Sequence, residues 1–371
     1  MPRNVTPQMR QRQGRLLPWG MPVRIGVLGC GNIARAAHLR SLAGSTGAEV
    51  VAIADDDAAN LAAARRLAPG AKRVDHYADL LADPGVDAVV IALPPAIHAD
   101  AAVAALQSGK HVYVEKPLAT TVADAARVIR AWQGSGLTGM MGFNYRYNPI
   151  VRRARLRIAA GAIGQPIAVR TVFATPRRTM PRWKQQRGTG GGALLDLAVH
   201  HIDLVRFLLD AEVARVSAEI HSTITDQDTA FLQLCLTNGV TAQSMCSLSA
   251  VDEDRIEVYG SKAKVTIDRY RSLRAEETPA SAGGTLTGAV IRLLGEMGAA
   301  PYALQKRRAP LHDPSFPAAM NAFVRTIRDH ETATPSLVDG LCALAVIEAA
   351  ELSANSGTAI SLDATAGLPS F

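Results

Sequence analysis

Residues 111–117, His-Val-Tyr-Val-Glu-Lys-Pro, combine a strand-forming run with a carboxylate and an amine. The run predicts a strand that ends at Lys116, because proline cannot continue the interior of a strand. An amine at the carboxyl end of a strand in an open parallel sheet lies where such sheets bind ligands. There it can donate a hydrogen bond or act as a proton carrier. A solvated lysine before a loop is the alternative that this motif alone leaves open.

A glycine-rich turn follows the first strand-like segment, residues 23–28. Gly29-Cys30-Gly31-Asn32-Ile33-Ala34 has the GxGxxA form of a dinucleotide-binding turn and precedes a helical segment. Gly29 allows the tight turn, Gly31 lets a pyrophosphate approach the backbone, and Ala34 permits close packing of the helix. We therefore expect a dinucleotide to contact Gly29, Gly31, Asn32 and Ile33.

A carboxylate stands at the distance downstream where such sites hold the ribose hydroxyls. The strand-like residues 49–54 end at Asp55, and Asp56 and Asp57 follow. Three acids would repel a 2′-phosphate, so the sequence favours NAD over NADP. A glycine turn and an aspartate that caps a helix are the alternative.

A buried helix predicted over residues 193–209 carries a second group of candidates. The helix is apolar nearly all round, so its polar residues need partners. Asp196, His200 and Asp203 fall on one stripe, which fits either a hydrogen-bonded buried row or a catalytic pair. We expect a structural role for Asp203 and a packed or partner-facing position for His201. Because adjacent helical residues point apart, we expect no metal site at His200 and His201.

A basic segment precedes this helix and surrounds Trp183. It is either a solvated loop or a source of side chains for a substrate carboxylate or phosphate, which arginine binds through two donors. Tyr145 and Arg146, near the expected domain boundary, are similar candidates. The basic residues are Arg177, Arg178, Arg182, Lys184 and Arg187, and the substrate candidates are Tyr145, Arg146, Trp183 and Lys184.

The first half of the chain alternates strand-like and helical segments, which predicts a doubly wound parallel sheet with helices on both faces. Leu93-Pro94-Pro95 follows a predicted strand end and should therefore border the cofactor. We place this domain at residues 22–143. Its further segments are helices at 58–67, 78–81, 96–107 and 122–133 and strands at 86–93 and 138–143.

The second half, residues 144–371, changes to a run of strands around the buried helix. Asn238-Gly239 is a strong hairpin turn, so an α+β domain with a mostly antiparallel open sheet is expected. Residues 269–314 are irregular, with one possible helix at 287–296. The predicted strands are 167–174, 214–224, 230–236, 240–248, 255–259 and 264–268.

Length and composition fit two domains of an ordinary soluble protein: 371 residues, 48% hydrophobic and 20% charged. No apolar run reaches the roughly 18 residues of a membrane span. The first 21 residues are expected to form a disordered extension, and their lack of an apolar core predicts no secretory signal. Four arginines of this extension contribute to the net charge of +7; without them it is +3. The basic charge is thus weak evidence for nucleic acid, and neither a nucleic-acid nor a membrane partner is expected.

The four cysteines, Cys30, Cys235, Cys246 and Cys342, show neither CxxC nor zinc-ligand spacing. This pattern predicts neither a disulfide framework nor a structural metal. A reducing cytoplasm is the expected compartment.

Taken in order and spacing, these motifs resemble the glucose-fructose oxidoreductase and inositol dehydrogenase family, Gfo/Idh/MocA, over residues 22 to about 363. The family commonly has Thr-Pro-Asn where this chain has Leu93-Pro94-Pro95, which bears on cofactor affinity more than on cofactor identity. The matching residues are the GxGxxA turn, Asp55, His98, residues 109–112 with Glu115-Lys116-Pro117, Asn144-Tyr145-Arg146, glycines 190–192 with Asp196 and His200, and Gly340-Leu341.

The resemblance implies an NAD(P)-binding Rossmann domain, an α+β domain whose sheet supports a homodimer or homotetramer, and dehydrogenation of a sugar or polyol. It implies His200 as general base, Asp196 as acceptor of its other ring N–H, and Lys116 as donor to the reacting oxygen; in some relatives the lysine is the base. Alternatives are a redox-neutral glycosidase or epimerase and a non-catalytic sensor. Lys116-Pro117 is a candidate cis bond. The cofactor would also border Leu93, Pro94, His98, Glu115 and Lys116.

Overall fold

The computed structural model describes residues 21–280 and 300–362. These described residues form two compact units, one within Met1–Gly142 and Phe316–Leu341 and the other within Phe143–Ser315 and Cys342–Phe371. All but the last residue of the expected N-terminal extension, and the helix expected at 287–296, lie outside the described residues. The units are described separately below.

A six-stranded parallel sheet forms the first unit, with the strand order β3-β2-β1-β4-β5-β6. All four residues of β4 are buried, as expected for a parallel strand covered on both faces. This order confirms the predicted doubly wound sheet. Its elements are β1 (Val23–Leu28), α1 (a π-helix, Ala34–His38, continuing as Leu39–Ala43), β2 (Ala48–Ala54), α2 (Ala58–Arg65), β3 (Lys72–Val74), α3 (Tyr77–Leu81), β4 (Ala88–Ile91), α4 (His98–Gln107), β5 (His111–Val114), α5 (Val122–Trp132) and β6 (Gly139–Met141).

A late segment of the chain completes this first unit, whereas the sequence assigned everything beyond residue 143 to the second domain. Nearly all of α9 (Ser315–Asp329) and the start of α10 (Leu337–Ser356) belong to the first unit. The Phe323 ring lies edge-on to that of Tyr113, with 5.7 Å between centroids. Packing against the parallel sheet, which leaves no local signal in the sequence, thus decides where this segment belongs.

An eight-stranded sheet forms the second unit, with the strand order β13-β12-β11-β7-β10-β9-β8-β14. Within the described part of the chain, only β7 and β10 of this sheet pair in parallel, so the sheet is mostly antiparallel, as predicted. Gly239, with φ of +84°, makes the predicted hairpin turn. The elements are α6 (Pro149–Ala159), β7 (Pro166–Ala174), α7 (a π-helix, Leu194–Ala198, continuing as Val199–Leu209), β8 (Val213–His221), β9 (Thr229–Leu236), β10 (Thr241–Ser247), β11 (Glu253–Gly260), β12 (Ala263–Asp268), β13 (Glu276–Pro279), α8 (Ala300–Arg308) and β14 (Ile360–Ser361).

The segment that the sequence left irregular contains regular structure. Both β13 and α8 fall between residues 269 and 314. Lys306 on α8 donates from Nζ to the carbonyl oxygens of Arg269 and Tyr270, at 2.8 and 2.9 Å. Among the helices of the described residues, none combines the length and apolar character that crossing a membrane requires.

Candidate active site

The turn after β1 requires glycine at position 29. Gly29 has a φ of +87°, and a Cβ added there would lie 2.6 Å from the carbonyl oxygen of Ala92. Its N–H donates to the carbonyl oxygen of Ala54 at 2.8 Å, so the ends of β1, β2 and β4 meet at this residue. A Cβ added to Gly31, by contrast, would have no atom of residues 21–280 or 300–362 within 4 Å. The backbone at Gly31 is therefore open to a pyrophosphate at the start of α1, which fits the dinucleotide that the motif predicts.

Asp55, directly after β2, also fixes the glycine turn. Its Oδ2 accepts the N–H of Cys30 at 2.6 Å, and its Oδ1 accepts the N–H of Asp57 at 2.9 Å and the side-chain amide of Asn60 at 3.2 Å. Burial and the Asp55 charge raise the pKa of Cys30 to about 12, so this thiol stays protonated. Asp57 caps α2 by accepting the N–H of Ala59 at 2.7 Å. The capping role that the sequence left open thus belongs to Asp57, and Asp55 lies at the strand end where a ribose is expected.

Glu115 lies directly after β5 and pairs with a histidine that the sequence did not single out. His38, at the end of the π-helical turn of α1, donates from Nε2 to Glu115 Oε1 at 2.7 Å, and both side chains are buried. The other oxygen of Glu115 accepts the Lys116 N–H at 3.1 Å. Burial raises the pKa of Glu115, but the bond from His38 and the charges of His38 and Lys116 outweigh it, so the net shift is downward. The carboxylate is therefore ionised beside Lys116.

Lys116 lies two residues beyond the end of β5, with its side chain half-buried. The Lys116-Pro117 peptide bond is cis, as expected. The strand itself ends at Val114, slightly earlier than the sequence predicted. Lys116 thus occupies the carboxyl edge of the parallel sheet, the edge at which such sheets bind ligands.

His98 connects the loops that follow β4 and β5. Its Nε2 lies 2.7 Å from the carbonyl oxygen of Leu93 and its Nδ1 lies 2.7 Å from that of Pro117. Burial lowers the pKa of His98, whereas the two carbonyl oxygens favour the charged ring, since a neutral ring can donate to only one of them. This geometry favours positioning of Leu93 and Pro117 over direct contact between His98 and a cofactor. Pro94, the residue after Leu93, is exposed.

Asp196 and His200 lie on α7 of the second unit. Asp196 is in the π-helical turn that begins this helix, and such turns are frequent at functional sites. Its carboxylate oxygens accept from Lys184 Nζ at 3.0 and 3.2 Å, which makes Lys184 an ion-pair partner of Asp196. Gly191 permits this approach, because a Cβ there would lie 2.3 Å from the carbonyl oxygen of Lys184.

His200 is buried against an aromatic ring. Its imidazole stacks on Tyr145, with 4.4 Å between centroids and 14° between planes. Tyr145 is 7% exposed. The same phenol ring has the guanidinium of Arg269 over it, with Cζ 4.2 Å from the centroid. Tyr145, a substrate candidate by sequence, is thus placed to support His200.

Two further polar residues of α7 are held by buried partners. Asp203 accepts from Arg146 Nε and Nη2 at 2.9 and 2.6 Å. His201 Nε2 lies 3.0 Å from Asp254 Oδ1, and its ring stacks on Phe173. These contacts agree with the structural role expected for Asp203 and the packed position expected for His201. They favour a structural role for Arg146 as well.

The basic segment is divided between ion pairs and an open surface. Arg187 forms a two-donor pair with Glu351. Lys184 pairs with Asp196, and its Nζ lies 5.4 Å from the ring centroid of the half-buried Trp183. Other residues of the segment line a cavity of about 450 Å³, and among them are the exposed side chains of Arg177 and Arg178. The residues that line this cavity are Arg177, Arg178, Thr179, Met180, Gln185, Ile224, Thr225, Asp228, Leu248 and Ser249.

Comparison with known proteins agrees with both halves of the chain. A family profile described as "Oxidoreductase family, NAD-binding Rossmann fold" matches residues 23–143, and one described as "GFO/IDH/MocA C-terminal domain" matches residues 151–266. Inositol 2-dehydrogenase 1 of Saccharopolyspora erythraea is 31% identical over 92% of this chain and 97% of its own length. A dTDP-3,4-didehydro-2,6-dideoxy-alpha-D-glucose 3-reductase of Streptomyces violaceoruber is 31% identical over 82% of this chain and 85% of its own length.

Among solved structures, the WlbA dehydrogenase of Bordetella pertussis, in complex with NADH and UDP-GlcNAcA, is similar. It is 25% identical, with a TM-score of 0.80, over 93% of this chain and 99% of that one. The fold and the matches together define an oxidoreductase with an NAD-binding Rossmann domain. The chain belongs to the Gfo/Idh/MocA family, whose matched relatives are named as dehydrogenases and reductases.

Proposed function

We propose that the protein oxidises a hydroxyl group of a sugar, a polyol or a related compound and passes the hydride to NAD. The observation that carries this proposal is Lys116 at the carboxyl edge of the parallel sheet, beside an ionised Glu115. The names of the relatives, which include inositol dehydrogenases and a deoxysugar reductase, support the substrate class.

The residues of the first unit fit the cofactor, with Gly29 and Gly31 for the pyrophosphate and Asp55 for the ribose. When bound, the nicotinamide supplies the carbon that accepts the hydride. Because Asp55 is followed by two further acids, we propose NAD rather than NADP.

In the proposed reaction His200 takes the hydroxyl proton as the carbonyl forms. Asp196 accepts the other ring N–H of His200 and fixes its tautomer. Lys116 donates to the reacting oxygen and stabilises its developing negative charge. Lys184 holds the Asp196 carboxylate in place and compensates its charge.

A pH–rate profile tests this division of roles. We expect His200→Asn to lower kcat by about 10²–10⁴-fold, since general-base catalysis contributes that much. His76→Asn, at an exposed histidine just before α3, is the control and should keep kcat. If His200→Asn keeps most of kcat on a good substrate while Lys116→Met removes the basic limb, Lys116 is the base and the assignment is reversed.

The same panel separates the other functions that the sequence left open. A glycosidase or epimerase would turn over substrate while retaining its cofactor, with no net change in reduced nicotinamide. A sensor would bind NAD in a thermal-shift titration and turn over none of the sugars or polyols. Net formation of NADH with one of these substrates excludes both.

We also propose a homodimer or homotetramer that pairs through the open face of the eight-stranded sheet. Phe231, Met245 and Val172 form a cross-strand row there, and Phe231 is 43% exposed. We expect Phe231→Arg to lower the mass measured by light scattering, whereas Leu156→Arg, on an exposed face of α6, should not. Equal masses for all three proteins would contradict this interface.

The free cysteines fit our proposal of a cytoplasmic location.

A further inference from the structure

Tyr145 lies between two other side chains of the second unit. The His200 imidazole lies nearly parallel to it, 4.4 Å away between centroids. The Arg269 guanidinium carbon lies 4.2 Å from the same phenol centroid. Because a parallel ring at this distance covers one face of the phenol, the guanidinium occupies the other. The result is a three-layer stack of imidazole, phenol and guanidinium.

Two buried carboxylates hold Arg269 in this position. Its Nε donates to Asp254 Oδ2 at 2.5 Å and its Nη1 donates to Asp313 Oδ2 at 3.0 Å. Both aspartates are buried, with exposed fractions of 3% each. Burial opposes ionisation of Asp254, but Arg269 and His201 outweigh it and hold the pKa of Asp254 well below its usual range. Arg269 is thus fixed from two directions and cannot leave the phenol face without exposing two buried charges.

The backbone beneath Arg269 is also anchored. Lys306 on α8 donates to the carbonyl oxygens of Arg269 and Tyr270. Asp313 accepts the N–H of Ser315 at 3.0 Å, which fixes the loop that carries it. The support for the stack therefore comes from Arg269, Lys306 and Asp313, which lie in a part of the chain for which the sequence indicated no role.

The stack constrains both the plane and the charge of His200. Parallel stacking on Tyr145 leaves the imidazole little rotation out of its plane. The positive charge of Arg269 lies across the phenol ring from the imidazole, where it opposes a proton on His200. The Phe173 ring lies 6.1 Å from the imidazole between centroids. On the same helix, Asp196, paired with Lys184, precedes His200 by four positions, and His201, paired with Asp254, follows it.

We infer that Arg269 is a positioning residue for His200: held by Asp254 and Asp313, it clamps Tyr145 against the imidazole and fixes the plane in which His200 accepts a proton. The inference rests on the proposed role of His200 as general base. Arg269 itself touches no reacting atom. Its contribution is orientation, for which a displacement of about 1 Å can cost on the order of 10²-fold in rate.

The test compares Arg269→Met and Arg269→Lys with the wild-type protein. We expect Arg269→Met to lower kcat by about 10- to 100-fold, with the KM for NAD unchanged. Arg269→Lys keeps the charge but loses the planar fork, so an intermediate kcat is expected. Arg157→Met removes an exposed arginine paired with Glu277 and is the matched control, with wild-type kcat expected.

A second readout needs no turnover. Histidine ring signals in NMR spectra, with His200 assigned from the His200→Asn spectrum, should titrate at a higher pH in Arg269→Met, because a cation is lost while two carboxylates remain. Tyr145→Leu should broaden or shift the same signals if Arg269→Met does not fold. Unchanged His200 titration and kcat in folded Arg269→Met overturn the inference. A shifted titration in a protein that oxidises no sugar or polyol keeps the stack and rejects the proposed function.

Discussion

Replacing His38 by leucine tests the buried pair that supports the Glu115-Lys116 motif. His38 is 0% exposed and Glu115 is 7% exposed, and 2.7 Å separates Nε2 from Oε1. Leucine removes this donor, and the buried carboxylate keeps the bond from the Lys116 N–H. Breaking a buried pair from one side costs about 3–5 kcal/mol. For a unit of this size such a loss lowers Tm by roughly 6–20 °C.

The size of this effect depends on pH. The folded-state pKa of Glu115 lies below its ordinary value, so its stabilisation is present above the unfolded pKa and is lost as pH falls through the folded pKa. In His38→Leu, burial dominates and raises the pKa of Glu115, so protonation relieves the penalty. We therefore expect the stability difference between wild type and variant to be largest near pH 8 and to shrink toward pH 5.

Urea unfolding at several pH values measures this difference. The double variant His38→Leu/Glu115→Met removes both partners and should recover most of the lost stability, because two apolar groups need no pairing. A single variant within about 1 kcal/mol of wild type at pH 8, or a double variant no better than the single one, would refute the reasoning about a buried ionic pair.

Three further predictions concern the cofactor turn and α7. Gly29→Ala places a Cβ 2.6 Å from a backbone carbonyl oxygen and should lower Tm, whereas Gly31→Ala should keep Tm and weaken NAD binding; equal effects in calorimetry contradict this account. Asp55→Ala should lower the preference for NAD over NADP by about tenfold in titration calorimetry, and an unchanged ratio would remove Asp55 from the ribose site. Arg146→Met removes the two-donor partner of the buried Asp203, whose ion pair with Arg206 at 3.8 Å remains, and should cost about 3–5 kcal/mol, measured by urea unfolding; a loss below 1 kcal/mol argues against the pair.

The fold was predictable where local pattern and packing agree. The strand at residues 23–28 and the Asn238-Gly239 turn were predicted because short apolar runs and turn residues carry their own signals. The short, charged strand Lys72–Val74 carries no such signal and is defined only by pairing with β2. Helix α6 was missed although Asn148 caps it by accepting the Ile150 N–H and proline occupies its first turn, a recognisable start signal.

The candidate site divides in the same way. Gly29, Asp55 and Lys116 stand in motifs whose spacing reveals them. The pairs His38–Glu115 and Lys184–Asp196 join residues that are 77 and 12 positions apart. The repeat of a helix or a strand relates only near neighbours in the sequence, so it does not predict these pairs. The first pair depends on the folding of the parallel sheet, and the second depends on the turn at Gly191 before α7.

The most direct test of the proposed function is the rate of NADH formation with a sugar and polyol panel, compared between wild type and Lys116→Met. Lys72→Met, on an exposed lysine of β3, is the control and should match wild type. The proposal predicts turnover of at least one substrate by wild type, and loss of about 10²-fold or more in kcat in Lys116→Met with NAD binding retained. Wild-type kcat in a Lys116→Met protein that binds NAD would contradict it.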